Sequence, residues 1–128
     1  MSNPIETVKK YNQAFEAKDV EAMRSLLNKN YHFKGPMTEM HGSDEMLGFM
    51  ANCPFACSQQ NLAFVAEGNK VVQTFDWVTI APFKATVSMC EVLEVQDGQI
   101  KSAKLFYDSA AFPKEAQEMM QQMMQNAA

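Results

Sequence analysis

The chain reads as an α+β domain, with helices packed on one face of an antiparallel sheet. Three observations predict this class. Helical periodicity occupies the first fifty residues and returns only at the end. Period-two alternation fills the stretch from about Leu62 to Asp108, cut by the turn signals Gly68-Asn69 and "QDGQ". No repeat, low-complexity linker or like-charge block divides the 128 residues, so residues 1–128 are read as a single domain. A strongly curved sheet with helices on its concave side makes a cone, and the space between the layers is a natural ligand pocket.

The elements follow in order. Asn3 can cap a first helix, with Pro4 at its first position and Glu6 three residues past the cap. Ile5, Val8, Tyr11 and Phe15 then form one apolar stripe. Asp19 begins a shorter second helix that turns Val20, Met23, Leu26 and Leu27 inward and ends at "NKN". "YHFKG", Tyr31 to Gly35, alternates aromatic with polar and reads as a short strand, and a loop with Pro36 and Gly42 follows. Ser43 caps a third helix, "DEMLGFMA". After the loop "NCPFACSQQ" come a strand near Leu62 to Ala66 and a longer one from Lys70 to about Ile80. Pro82 breaks that strand. Next are a strand from Ala85, a tight turn, a strand from Ile100 to Asp108, and a final helix from Lys114 to Asn126.

Composition narrows the function. Apolar residues make up 47% and charged residues 20%, an ordinary balance for a globular chain. A net charge of −4 argues against nucleic acid or an anionic membrane surface, which both call for clustered Lys and Arg. The three cysteines are an odd set, and no apolar run has the length of a leader core or a membrane span, so a cytoplasmic protein is expected. Phosphate loops, serine nucleophile elbows and dinucleotide fingerprints are missing, and no cofactor is expected.

One stretch carries chemistry. In "ATVSMCEVLEV" the odd positions from Ala85 to Val95 are apolar except Glu91. Strand residues alternate between faces, so this carboxylate shares a buried surface. It must find a partner, reach water, or hold its proton through a raised pKa. In "VVQTFDWVTI", Asp76 alternates with Phe75 and Trp77 and belongs to the pocket only if the even-numbered face is the inner one; the outer face is favoured. His32 and His41 offer neither a helical i, i+4 pair nor a facial triad, so no metal ligands are read. Cys53 and Cys57 lack CxxC spacing and read as packing or, at most, a reactive thiol. Met119, Met120, Met123 and Met124 form one soft helical stripe that could cap its own cone, meet a second subunit, or flex over a ligand.

"VKKYNQAFEAKDVEAMRSLL", the "HG" entering a capped helix at His41 to Ala51, and "VLEVQDGQIKSAKLFYDSAAF" resemble the nuclear transport factor 2-like superfamily, within it SnoaL-like and ketosteroid isomerase-like domains. The resemblance covers nearly the whole chain. It implies a cone-shaped α+β fold, a curved antiparallel or mixed sheet with three helices of the N-terminal half on its concave face and a C-terminal helix, commonly dimerising through the outer sheet face. By it, Tyr11 falls where ketosteroid isomerases carry an oxyanion-binding tyrosine, and Glu91 falls near their protonated aspartate. The position of their general base is Gly35 here, which departs from that mechanism. SnoaL-like enzymes use an aspartate of the final strands, for which Asp108 is the equivalent, and His41 at the pocket rim is a candidate proton shuttle.

The expected function is acid–base chemistry on a small apolar or amphipathic molecule, as in an isomerase, cyclase, dehydratase or hydrolase. Glu91 would be acid or base and Tyr11 a hydrogen-bond donor, with Phe15, Phe33, Met89 and Phe106 as lining. The alternative is a dimeric binding or association module without turnover, marked by Glu91 tied to a basic side chain.

Overall fold

The computed structural model describes residues 3–127. Helices α1 (Pro4–Ala17) and α2 (Val20–Leu26) come first, then strands β1 (Leu27–Lys34) and β2 (Glu39–His41) and helix α3 (Ser43–Ala51). Strands β3 (Ala56–Glu67), β4 (Lys70–Ala81), β5 (Ala85–Gln96) and β6 (Gln99–Phe106) follow, and α4 (Lys114–Ala127) ends the chain. The six strands form one curled, unclosed sheet in the order β2-β1-β6-β5-β4-β3. β1 and β6 run parallel, and the other neighbours are antiparallel, so the sheet is mixed. The α+β cone expected from the sequence is the fold observed.

Local chemistry accounts for the element ends. The Asn3 side chain accepts a hydrogen bond from the Ile5 amide at 2.9 Å and Pro4 occupies the first turn, while Glu6 pairs with Lys9 at 3.7 Å instead of closing a capping box. α1 stops at Lys18, whose φ of 54° is left-handed. Asp19 caps α2 through the Ala22 amide at 3.1 Å. Leu27 is already extended and buried at the start of β1, because the two apolar layers require it there whichever element carries it. α3 departs from expectation: its cap is Gly42, with no side-chain bond, and Ser43 is the first helical residue.

Three strand assignments change. β1 starts at Leu27 and not at Tyr31, so "NKN" lies inside the strand and does not end α2. β2 lies in what reads as a loop, joined to β1 by a tight reversal in which the Gly35 amide donates to the Thr38 carbonyl at 2.8 Å. β3 begins six residues before Leu62. It is an edge strand, mostly exposed and polar, so "ACSQQN" carries no apolar alternation to reveal it.

The odd residues of β4 and β5 make the concave wall: Val71, Phe75 and Trp77 face Leu93, Met89 and Val87 in direct register. Asp76 lies on the outer face, accepting hydrogen bonds from Asn61 at 2.8 Å and Ser88 at 2.9 Å. α1, α2 and α3 pack on one part of this wall, and α4 packs on the rest through Ala116, Met120 and Met123. The methionine stripe of α4 therefore caps the cone of its own chain. No helix among the described residues is long and apolar enough to cross a membrane.

Candidate functional site

Between the concave wall and the helices is a cavity of about 120 Å³. α1 contributes Tyr11, Asn12 and Phe15, β1 contributes Tyr31 and Phe33, and α3 contributes Met46, Phe49 and Met50. Phe75, Trp77, Met89 and Leu105 line the sheet side, with Met120 of α4 closing over them. The walls are almost entirely apolar, and Glu91 opens onto them from β5.

The register explains the surroundings of Glu91. Its direct cross-strand neighbour is Gln73, which is fully buried. Gln73 Nε2 donates to Glu91 Oε1 at 2.6 Å, and Asn12 Nδ2 donates to Gln73 Oε1 at 2.8 Å. The return contact from Gln73 Nε2 to Asn12 Oδ1 is 3.4 Å. Asn12 thus occupies the amide oxygen of Gln73 and leaves its NH2 group aimed at the carboxylate. Among the described residues, Glu91 forms no ion pair with a Lys, Arg or His. Burial pushes its pKa up to about 7, and the Gln73 hydrogen bond draws it part of the way back.

Tyr11 stands beside this acid. Its hydroxyl is buried and has no hydrogen-bond partner among the described residues. Burial, then the proximity of Glu91, holds the phenol far above its ordinary pKa. Tyr31 is shifted the same way by burial, then by Tyr11 and Glu91. A carboxylate and two phenols thus share one end of an apolar hollow, all able to carry protons near neutrality.

Of the residues singled out in the sequence, Glu91, Tyr11, Phe15, Phe33 and Met89 meet at this cavity. Phe106 does not: it is 54% exposed on the outer face. Alternation from the buried Ile100 would turn Phe106 inward, but Glu94 pairs with Ser102 and Val95 with Ile100, leaving Lys101 as an extra residue. This bulge reverses the parity, so Ala103, Leu105 and Tyr107 face in. Asp108 is exposed too, its side chain accepting from the Ala110 amide at 3.0 Å to cap a short 3-10 turn, Ser109–Ala111. Tyr107 takes the place at the cavity instead, with its pKa pushed up to about 12 by burial.

His41 is not at the rim. It points from the outer face of β2, with 71% of its side chain exposed, while the adjacent Met40 faces the cavity. His41 there joins His32 and Glu39 in a cluster whose ligand atoms all lie within 4.8 Å of one another. A spacing rule based on helices could not register it, because the strand pairing assembles it. Cys53 and Cys57 line the cavity, where burial raises the Cys57 thiol and makes it a poor nucleophile.

Sequence reasoning passed over Asn12, Gln73, Tyr31 and Trp77. For Gln73 a signal existed: it interrupts the apolar odd positions Val71, Phe75 and Trp77 of β4 before the series reaches the polar Thr79, much as Glu91 interrupts those of β5.

Comparison with known proteins places this architecture. A nuclear transport factor 2-like protein of unknown function from Cytophaga hutchinsonii superposes with a TM-score of 0.75 at 21% identity, covering 86% of this chain and 94% of that one. An LEH-like epoxide hydrolase of M. tuberculosis gives 0.77 at 16% identity, with 96% and 90% covered. A protein with a ketosteroid isomerase-like fold from Catenulispora acidiphila, solved in complex with trimethylamine, gives 0.73 at 17% identity, with 83% and 88% covered. No match is found among curated proteins. At these identities the likeness establishes the fold alone. The family model of the SnoaL-like domain matches residues 8–103, from the first helix through the acid-bearing strand into β6. The chain therefore belongs to the SnoaL-like domain family, within the nuclear transport factor 2-like superfamily.

Proposed function

We propose that this protein is an acid–base enzyme acting on a compact, mainly apolar molecule that carries one oxygen function. The observation behind this reading is Glu91, a carboxylate at the wall of an apolar cavity that has no cationic partner among the described residues, next to the Tyr11 hydroxyl, which has no hydrogen-bond partner among them either. A structural ion pair would lower the Glu91 pKa. The shift to about 7 is in the other direction, and suits an acid that must both hold and release a proton near neutrality.

The roles follow from the geometry. Gln73 engages Oε1, so Oε2 is free to exchange a proton with the ligand. Tyr11 donates to the ligand oxygen, where charge develops as the proton moves. In this dry surrounding a hydrogen bond to developing charge is stronger than in water. Isomerisation, cyclisation, dehydration and hydrolysis all use this pairing, and acid–base help of this kind is worth about 10²–10⁴ in rate. The cavity is comparable with the roughly 150 Å³ apolar cavity that accepts benzene, so a monocyclic body fits without rearrangement.

A panel of monocyclic ketones, lactones, alcohols and epoxides, screened by thermal shift and by proton NMR for turnover, tests the reading. Binders should be converted by the wild type. Conversion should fall about 10²-fold or more in Glu91→Gln, and less steeply in Tyr11→Phe. Binders that stabilise wild type and Glu91→Gln equally, without conversion by either, would remove Glu91 from the chemistry.

A further inference from the structure

We propose that the outer face of the β1–β2 hairpin binds one divalent transition-metal ion through His32, Glu39 and His41. The register builds the site. His32 is the direct antiparallel partner of His41, and Glu39 lies two residues before His41 on the same face. Both imidazoles address one carboxylate oxygen: Glu39 Oε2 is 2.8 Å from His32 Nε2 and 3.7 Å from His41 Nε2. The two rings are stacked, with centroids 4.8 Å apart and planes 29° apart, so they lie side by side on the outer face and each turns about its side-chain bonds to aim Nε2 at a shared ion.

These separations suit an ion. Tetrahedral coordination with bonds of about 2.0–2.1 Å places neighbouring donor atoms about 3.3 Å apart. The two distances to Glu39 bracket that value, and with all the donor atoms within 4.8 Å of one another, rotation of the side chains brings the two imidazoles to it as well. The hydrogen bond between His32 and Glu39 already holds two of the ligands in place; the ion takes the Nε2 lone pair of the neutral ring, whose single proton then sits on Nδ1, and any proton in excess of that leaves to solvent. Two imidazoles and a carboxylate select Zn²⁺, Ni²⁺, Co²⁺ or Cu²⁺ over Mg²⁺ and Ca²⁺, which favour all-oxygen sets. The side chains are 38%, 44% and 71% exposed for His32, Glu39 and His41, which leaves an approach from solvent and room for water to complete the coordination sphere. Lys34, across from Glu39 in the register, adds a positive charge at the edge that moderates affinity without blocking the donors.

The consequence is mechanical. β2 is a three-residue edge strand, and the ion would join both its ends to β1. Met40, between two of the ligands, faces the cavity, as does Thr38 in the reversal. The ion site and the cavity therefore stand back to back across one strand, yet the ion assignment does not depend on the proposed chemistry.

Isothermal titration of tag-free protein with Zn²⁺ and Ni²⁺, with Co²⁺ absorption as a second readout, decides the matter. Wild type should take up one equivalent. His41→Ala and His32→Ala should each weaken it about tenfold or more, while Mg²⁺ in excess should not compete. A Cys53→Ser/Cys57→Ser variant should bind as wild type does. Uptake by wild type no greater than by the His32→Ala/His41→Ala double variant would overturn the site, and so would uptake lost only in the cysteine variant. Both histidines are solvent-accessible on the sheet surface, so circular dichroism should show the variants folded.

Discussion

Glu91 is held between two opposing effects: burial against Met89, Trp77 and Tyr11 favours its neutral form, and the Gln73 hydrogen bond favours its charged form. Burial is the larger, and the linkage to stability follows with a definite sign. A carboxyl whose pKa is about 7 when folded and about 4.3 when unfolded binds more protons in the native state between those values. Its contribution is fully present below pH 4 and is lost as pH rises through 7. The difference amounts to at most about 4 kcal/mol. Chemical denaturation of wild type and Glu91→Gln from pH 4 to 8 should therefore show wild type losing stability relative to the variant as pH rises. All other ionisable groups are common to the two proteins and cancel in that comparison. A difference independent of pH, or one that grows in favour of wild type, would contradict the burial of an unpaired acid.

At the level of elements, the short helices depend on caps and the strands on register. α2 has only seven residues, so its termination by Asp19 matters more than propensity. Asp19→Ala should cost about 1 kcal/mol, a fall in Tm of roughly 3–5 °C, whereas Asp19→Asn should be nearly neutral because it keeps an accepting oxygen. Equal losses in a melting experiment would show that the carboxylate acts through charge and not through the Ala22 amide. The helices and β4 to β6 were legible because each carries its own period and stop signals: Asn3-Pro4, Gly68-Asn69 and Asp97-Gly98 need no distant partner to be read. What the sequence withheld depends on pairing. β2 has three residues and no period, the extra residue at Lys101 turns Phe106 outward, and the facing of His32 to His41 and of Gln73 to Glu91 exists only after strands meet. Glu91 was visible because its anomaly lies within one strand; its partner Gln73 carried the same mark in β4, at odd positions shared with Phe75 and Trp77.

At the scale of the whole molecule, function rests on a sheet that curls without closing and a chain end that returns to cover it. α1 and α3 roof one part of the concave wall, and α4 lays Met120 and Met123 over the rest, so the hollow is enclosed by segments more than a hundred residues apart. The acid's environment is thus a property of the assembled cone and would vanish with unfolding. The outer face carries a separate set of polar and ionisable groups, including Asp76 and the His32, Glu39, His41 cluster, so each side of the sheet has its own chemistry. The most direct test is a pH titration of the Glu91 side-chain carboxyl by ¹³C NMR in the intact protein, assigned by its loss in Glu91→Gln. The account predicts a midpoint of about 7. A midpoint at or below the model-peptide value of about 4.3 would mean a solvated or ion-paired carboxylate, and would contradict it.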